Sequence, residues 1–164
     1  NETQEKSIQI RERKASSGAT IDGLKKRRDD LLERVDTELN LNEKNLLEKS
    51  DLNQISELPV VYMTLTQEEL SSCNYQKGDT EGFVNYGLSL KGIVFSCILI
   101  ENENEGKIKM SFRSQGDFSV NDFARTYFNG GGHHNAAGGM SMDSMETTVV
   151  RFKSAVKEVA GQFH

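Results

Sequence analysis

The sequence predicts a mixed α/β (α+β) fold: a mixed β-sheet of about four to five strands, flanked by helices and preceded by a helical extension. Three observations carry that reading. All twelve aromatic residues lie at or beyond Tyr62, so one core is confined to the later part of the chain. Residues 60–65 and 93–113 hold β-rich runs with alternating or continuous apolar positions. Residues 119–128 and 145–163 carry apolar side chains at helical spacing.

Residues 1–58 contain no aromatic residue, and 24 of the 58 are Asp, Glu, Lys or Arg. Such a segment buries little surface alone and is expected to depend on a partner or to stay mobile. Within it, Ile21, Leu24, Leu31, Leu32, Val35 and Leu39 recur at helical spacing from Thr20 to Leu39, with Asp22 near the start. The expectation is a solvated amphipathic helix after a break at Ala15–Gly18. Leu24, Leu31 and Val35 trace a short seam, but fewer than three clean heptads are present, which favours a solvated helix over a coiled coil. Asn40 to Gln54 is expected to form a second short helix through Leu46 and Leu47.

Pro59, the only proline, precedes the strand Val60–Leu65 and opens the folded domain, expected over residues 59–164. Thr66 can cap a short helix to Ser72, with Gln67, Glu68 and Glu69 in its first turn. Gly78–Gly82 reads as a turn in which one acid acts as a cap, so Asp79 and Glu81 are not assigned catalysis. Asn85 to Leu90 is ambiguous between helix and loop. Ile93–Ile100 reads as an apolar strand. Lys107–Arg113 alternates, with Ile108, Met110 and Phe112 on one face and Lys107, Lys109, Ser111 and Arg113 on the other. These two strands form a hairpin around Glu101–Gly106, whose acids lack the spacing of a calcium loop. Ser119 caps a helix with Val120, Phe123, Ala124, Tyr127 and Phe128 on its apolar face, ending at Asn129. A short strand near Met140–Met142 and an amphipathic helix from Met145 to Phe163 complete the chain.

Bulk properties exclude several functions. The formal charge of −5 argues against a general polyanion binder, so any phosphate site is local. Cys73 and Cys97 have no paired spacing, which indicates neither a disulfide framework nor a zinc knuckle and favours a reduced, cytoplasmic setting. Gly92–Ile100, the longest apolar stretch, is broken by Ser96 and is too short to span a bilayer, and no membrane partner is expected.

The chemistry-bearing segment is Asn129–Gly130–Gly131–Gly132–His133–His134–Asn135–Ala136–Ala137–Gly138–Gly139. Glycines let a ligand approach backbone N–H groups without a Cβ in the way. Consecutive amides can form an anion-binding nest, especially where they lead into a helix start. The alternative is a flexible tether. Adjacent imidazoles, a preceding amphipathic helix and a second Gly pair set this run apart from an ordinary loop.

The run resembles the Gly-Gly-Gly-His-x-x-Ala-(Ala/Ser)-Gly signature of the DHH-associated domain, the C-terminal domain of DHH-family phosphoesterases. Gly78–Asn85 and Lys109–Ser114 also resemble blocks of that family, in the branch of nanoRNA-degrading and 3′-phosphoadenosine 5′-phosphate-hydrolysing proteins that often carry exopolyphosphatase-related names. The resemblance covers about Pro59 to His164. It implies a domain that closes over a short oligonucleotide or nucleotide phosphate. It implies contacts from His133, the amides of Gly131 and Gly132 beside Gly130, and Arg113 with Ser114; His134 and Asn135 fall at looser positions. It also implies an N-terminal DHH domain holding divalent metal, usually manganese, through an Asp-His-His block. This sequence has no such block, so no catalytic or metal-binding residue is assigned in it. Residues 1–58 are expected to be a linker or the remnant of a preceding domain.

Two rival readings stand beside a phosphoesterase substrate domain. One is a tRNA-type nucleic-acid-binding module without hydrolysis, motivated by the related domain of alanyl-tRNA synthetases. The other is an interaction domain assembled through Thr20–Leu39, with a second copy of the chain as a candidate partner. NanoRNA, nucleoside bisphosphates, cyclic-dinucleotide products and polyphosphate all remain open as substrates.

Overall fold

The computed structural model describes residues 50–55, 57–76 and 78–163, together with Gly23, Lys26 and Asp29. Those three isolated residues are helical and exposed. The rest of the Thr20–Leu39 segment, its seam of Leu24, Leu31 and Val35, and Leu46 and Leu47 lie outside the described residues. At the end of the expected second helix the structure corrects the sequence reading. Asp51–Gln54 is a strand, β1, antiparallel to β2 (Val60–Leu65). Asp-Leu-Asn-Gln has weak strand propensity, and the free edge of β2 supplies the backbone partners that decide its conformation.

β2 and β3 (Phe95–Asn102) are parallel, and a parallel pair needs a long crossover. Two short helices fill it, α1 (Gln67–Ser72) and α2 (Phe83–Leu88). α1 has the capping box that its sequence anticipates: Glu69 N donates to Thr66 Oγ1 at 3.2 Å, and Thr66 N donates to Glu69 Oε2 at 2.7 Å. α2 settles the ambiguous segment as helix. In the turn between them Gln76 N donates to Asp79 Oδ2 at 2.9 Å, so Asp79 does act as a cap.

β3 runs two residues beyond Ile100 because β4 (Lys107–Ser114) offers partners down to Lys107, opposite Asn102. The hairpin tip is a 3₁₀ turn, Glu103–Glu105, closed by Gly106 at φ 58°. α3 (Val120–Tyr127) follows, capped by Ser119. Then come β5 (Gly131–His133), β6 (Ala136–Ser141) and α4 (Met145–Glu158), with a final 3₁₀ turn at Ala160–Gln162. The six strands lie in the order β1-β2-β3-β4-β6-β5. The sheet thus exceeds the sequence expectation of four to five strands, and β1 and β5 are the ones that no sequence element anticipated, since propensity alone would not select them.

The sheet has unlike faces. On one, Phe95 and Phe112 of the strands meet Phe123 of α3 and Phe152 of α4, all nearly or fully buried. The Phe95 ring lies 5.1 Å from those of Phe118 and Phe123 and 5.8 Å from that of Phe152. These are tilted or edge-on arrangements that aromatic quadrupoles favour. On the other face, α1 and α2 bury Met63, Leu65 and Ile98 against Leu70, Phe83 and Val84, and Val61, Leu90 and Ile93 form a small satellite cluster. Neither of these clusters takes a residue from β4, β5 or β6. α2 lies directly on β3: a Cβ added to Gly87 would stand 2.1 Å from Ser96 Oγ.

Candidate functional site

The glycine run is not a nest at a helix start. It is a β-hairpin, β5 turning at His134–Asn135 into β6, and β6 completes the free edge of β4. Close approach of backbones accounts for its glycines. A Cβ on Gly130 would lie 1.9 Å from Gly138 O, and one on Gly139 would lie 2.9 Å from both the Phe112 ring and Phe128 Cβ. Asn129, at φ 46°, turns the chain from α3 into β5, a left-handed conformation that Asn tolerates better than most residues.

α3 holds the hairpin at both ends. Val120 N, a free donor of the first helical turn, reaches His134 O at 2.8 Å, while Gly130 N donates to Ala124 O at 3.1 Å. Asn121 Oδ1 accepts from Gly132 N at 2.9 Å and from Arg125 Nε at 3.1 Å. The Gly132 amide is thus engaged within the protein. Asn121 escaped the sequence reading, because it lies eleven residues from Gly132 and nothing local joins the two. Gly131 sits beside Arg125, whose Nε would be 3.4 Å from an added Cβ.

Residues of β4 alternate between the two faces. Ser114 follows Phe112 toward the helices and is 6% exposed. Its Oγ donates to Phe118 O at 2.7 Å and accepts from Asn135 Nδ2 at 2.9 Å. Asn135 Nδ2 also reaches Gly116 O at 3.2 Å. The structure therefore uses Ser114 and Asn135 to pin the hairpin turn. Arg113 projects the other way, partly exposed, with Nη1 donating to Phe112 O at 2.9 Å.

Arg113 is registered with Ala136, and Ala136 with His133. Directly opposed residues share a face, so the guanidinium and the imidazole flank a single methyl group, roughly 10 Å apart at the backbone after two strand spacings. His133 and His134 are both exposed. On the far side of Arg113 the row continues to Ser96, its partner on β3, fully buried at α2 with no hydrogen-bond partner for its Oγ. The next row pairs Ser111 with Gly138. An added Cβ at Gly138 would meet only Met110 O, at 3.5 Å, so no side chain crowds this floor. The arrangement is a shallow cationic trough between α2 and the β5 edge, suited chemically to an anionic group lying against a sheet.

Among the described residues, no three His, Cys, Asp or Glu side chains converge to hold a metal ion. No described helix is long and apolar enough to cross a membrane.

Sheet order, the aromatic core beneath α3 and α4 and a helix-pinned Gly-Gly-Gly-His hairpin together define an α/β domain of the DHH-associated kind. Residues 57–162 match the DHHA1 domain, and the chain belongs to that family. Its fold is similar to that of an exopolyphosphatase-related protein from Bacteroides fragilis, at 36% identity and a TM-score of 0.69, over 82% of this chain and 40% of the other. The chain thus spans well under half the length of that relative. Looser likenesses are to PggH, a pGpG-specific phosphodiesterase from Vibrio cholerae (17% identity, TM-score 0.49, 80% of this chain and 41% of the other). Another is to the C-Ala domain of Aquifex aeolicus alanyl-tRNA synthetase (11% identity, TM-score 0.47, 64% and 96%). No curated protein sequence gave a match.

Proposed function

We propose that this chain supplies the substrate-binding domain of a metal-dependent DHH-family phosphoesterase acting on short oligonucleotides or nucleoside bisphosphates. The observation that carries the proposal is the row Arg113–Ala136–His133 on the sheet face opposite α3 and α4. In this reading Arg113 offers a fixed charge and a planar fork of donors to a phosphate. His133 offers a second donor across the methyl of Ala136. Ser114, Asn135 and Asn121 act one step back, holding strand, turn and glycines where those two groups can converge. Hydrolysis would depend on a DHH domain bringing manganese ligands, and the part of residues 1–58 that precedes β1 would connect to it or belong to it.

Titration calorimetry with a 5′-phosphorylated diadenylate tests the reading. Hydrogen bonds to charged groups contribute about 1.5–3 kcal/mol, so Arg113→Ala and His133→Ala should each lower affinity by roughly ten- to a hundredfold. Their thermal transitions should stay close to that of the parent, since both side chains lie outside the core. Parent-like affinity in both variants would reduce the glycine hairpin to a structural element.

A further inference from the structure

The open face is cationic at both ends. β4 places Lys107 and Lys109 on the same side as Arg113, at alternate positions. Lys109 is registered with Met140, and Ser111, midway to Arg113, with Gly138. Four residue steps of extended strand lead from Lys109 to Arg113, about 13 Å at ~3.3 Å per residue. At the lysine end lies a depression of about 310 Å³, bordered by both lysines and by the glycine pairs Gly130–Gly131 and Gly138–Gly139. In a chain of net charge −5, three cations along one side of one strand are a local concentration.

A resident anion already marks the spot. The Glu105 carboxylate bridges both ammonium groups, touching Lys107 Nζ through Oε2 and Lys109 Nζ through Oε1 at 3.0 Å. Two lysines that converge on one oxyanion can converge on another. Glu105 is exposed, and exposed ion pairs are weak, so a phosphate could displace it at little cost.

We propose that Lys107 and Lys109 form a second phosphate subsite, for a later phosphate of a chain whose first phosphate is held by Arg113 and His133. The inference rests on the nucleotide reading above and narrows it. A linear oligonucleotide of about three residues can bridge roughly 13 Å of strand. A nucleoside bisphosphate, with both phosphates on one ribose, cannot reach both ends.

The test is calorimetric titration of the 164-residue protein with pA, pApA, pApApA and pApApApA. Affinity should climb with length through the third nucleotide. Lys107→Ala/Lys109→Ala should weaken pApApA binding about five- to tenfold and bring the pApApA-to-pA affinity ratio toward one. The slope of log K against log salt for pApApA should become shallower by about 0.7 for each phosphate that no longer meets a lysine. Glu105→Gln should act in the opposite direction, strengthening pApApA binding about two- to threefold, an effect that misfolding would not produce. If Arg113→Ala weakens every ligand while the double lysine variant keeps the length dependence, the second subsite is overturned and the nucleotide reading survives. If no length binds, or Arg113→Ala changes nothing, both fall.

Discussion

The two faces of β4 differ by one residue in sequence and by nearly everything in environment. Ile108, Met110 and Phe112 enter an aromatic core closed by α3 and α4, whereas Lys107, Lys109, Ser111 and Arg113 lie on the opposite face, where the apolar clusters beneath α1 and α2 take no residue of β4. A single strand therefore serves stability and recognition at once, through the period-two alternation of its side chains. Adjacent substitutions should then fail in different ways.

The largest effect is expected on the closed face. Phe112 is fully buried, so Phe112→Ala should cost about 3–5 kcal/mol of stability, read as a lower urea midpoint at unchanged slope. A loss under about 1 kcal/mol would mean that the core repacks freely and that the contrast between faces is shallow. Next in size, Arg113→Ala should cost about 1.5–3 kcal/mol in nucleotide affinity while stability stays within about 0.5 kcal/mol. A large drop in melting temperature would place Arg113 with the core instead.

Asn121 sharpens the comparison, since it belongs to a core helix yet orders the site. Asn121→Ala should cost about 0.5–1.5 kcal/mol, and amide exchange at Gly132 should speed up more than exchange in β3. Equal protection of Gly132 in both proteins would show that the Asn121 hydrogen bond is idle.

The smallest effect concerns Glu105. Hydrogen bonds from Lys107 and then Lys109 lower its carboxyl from 4.5 to about 2. A folded-state value below the unfolded one means that the ionised pair stabilises at pH above about 4.5, and that this contribution fades as pH falls toward about 2. Because Glu105 is exposed, the Glu105→Gln protein should lose only slightly less stability than the parent between pH 5 and about pH 2. Urea midpoints measured along that range would show it, and a steeper acid loss in the variant would reverse the sign.

Much of the scaffold was legible in residues close together along the chain. Thr66 with Glu69, Ser119 before Val120 and the alternation from Lys107 to Arg113 each rest on contacts within a few positions, which is why the capped helices and the β4 strand could be read directly. The composition of Gly130–Gly139 singled out the site segment and its DHH-associated resemblance, but not its shape. A Gly-Gly-Gly run has no intrinsic preference for a nest or a strand. Ser114 illustrates the same limit: the sequence places it beside Arg113, and only the pleat shows that its hydroxyl faces Phe118 and Asn135.

By itself, then, the sequence determined the mixed α/β class, the aromatic core after Tyr62, the local caps and the glycine-histidine segment, because these depend on short-range periodicity and composition. The tertiary structure alone decided that Asp51–Gln54 is a strand, that the glycine run is a hairpin, and that Arg113 and His133 flank Ala136. Each of those outcomes is settled by a free strand edge that needs backbone partners and by contacts between residues far apart in the chain, which no local pattern encodes.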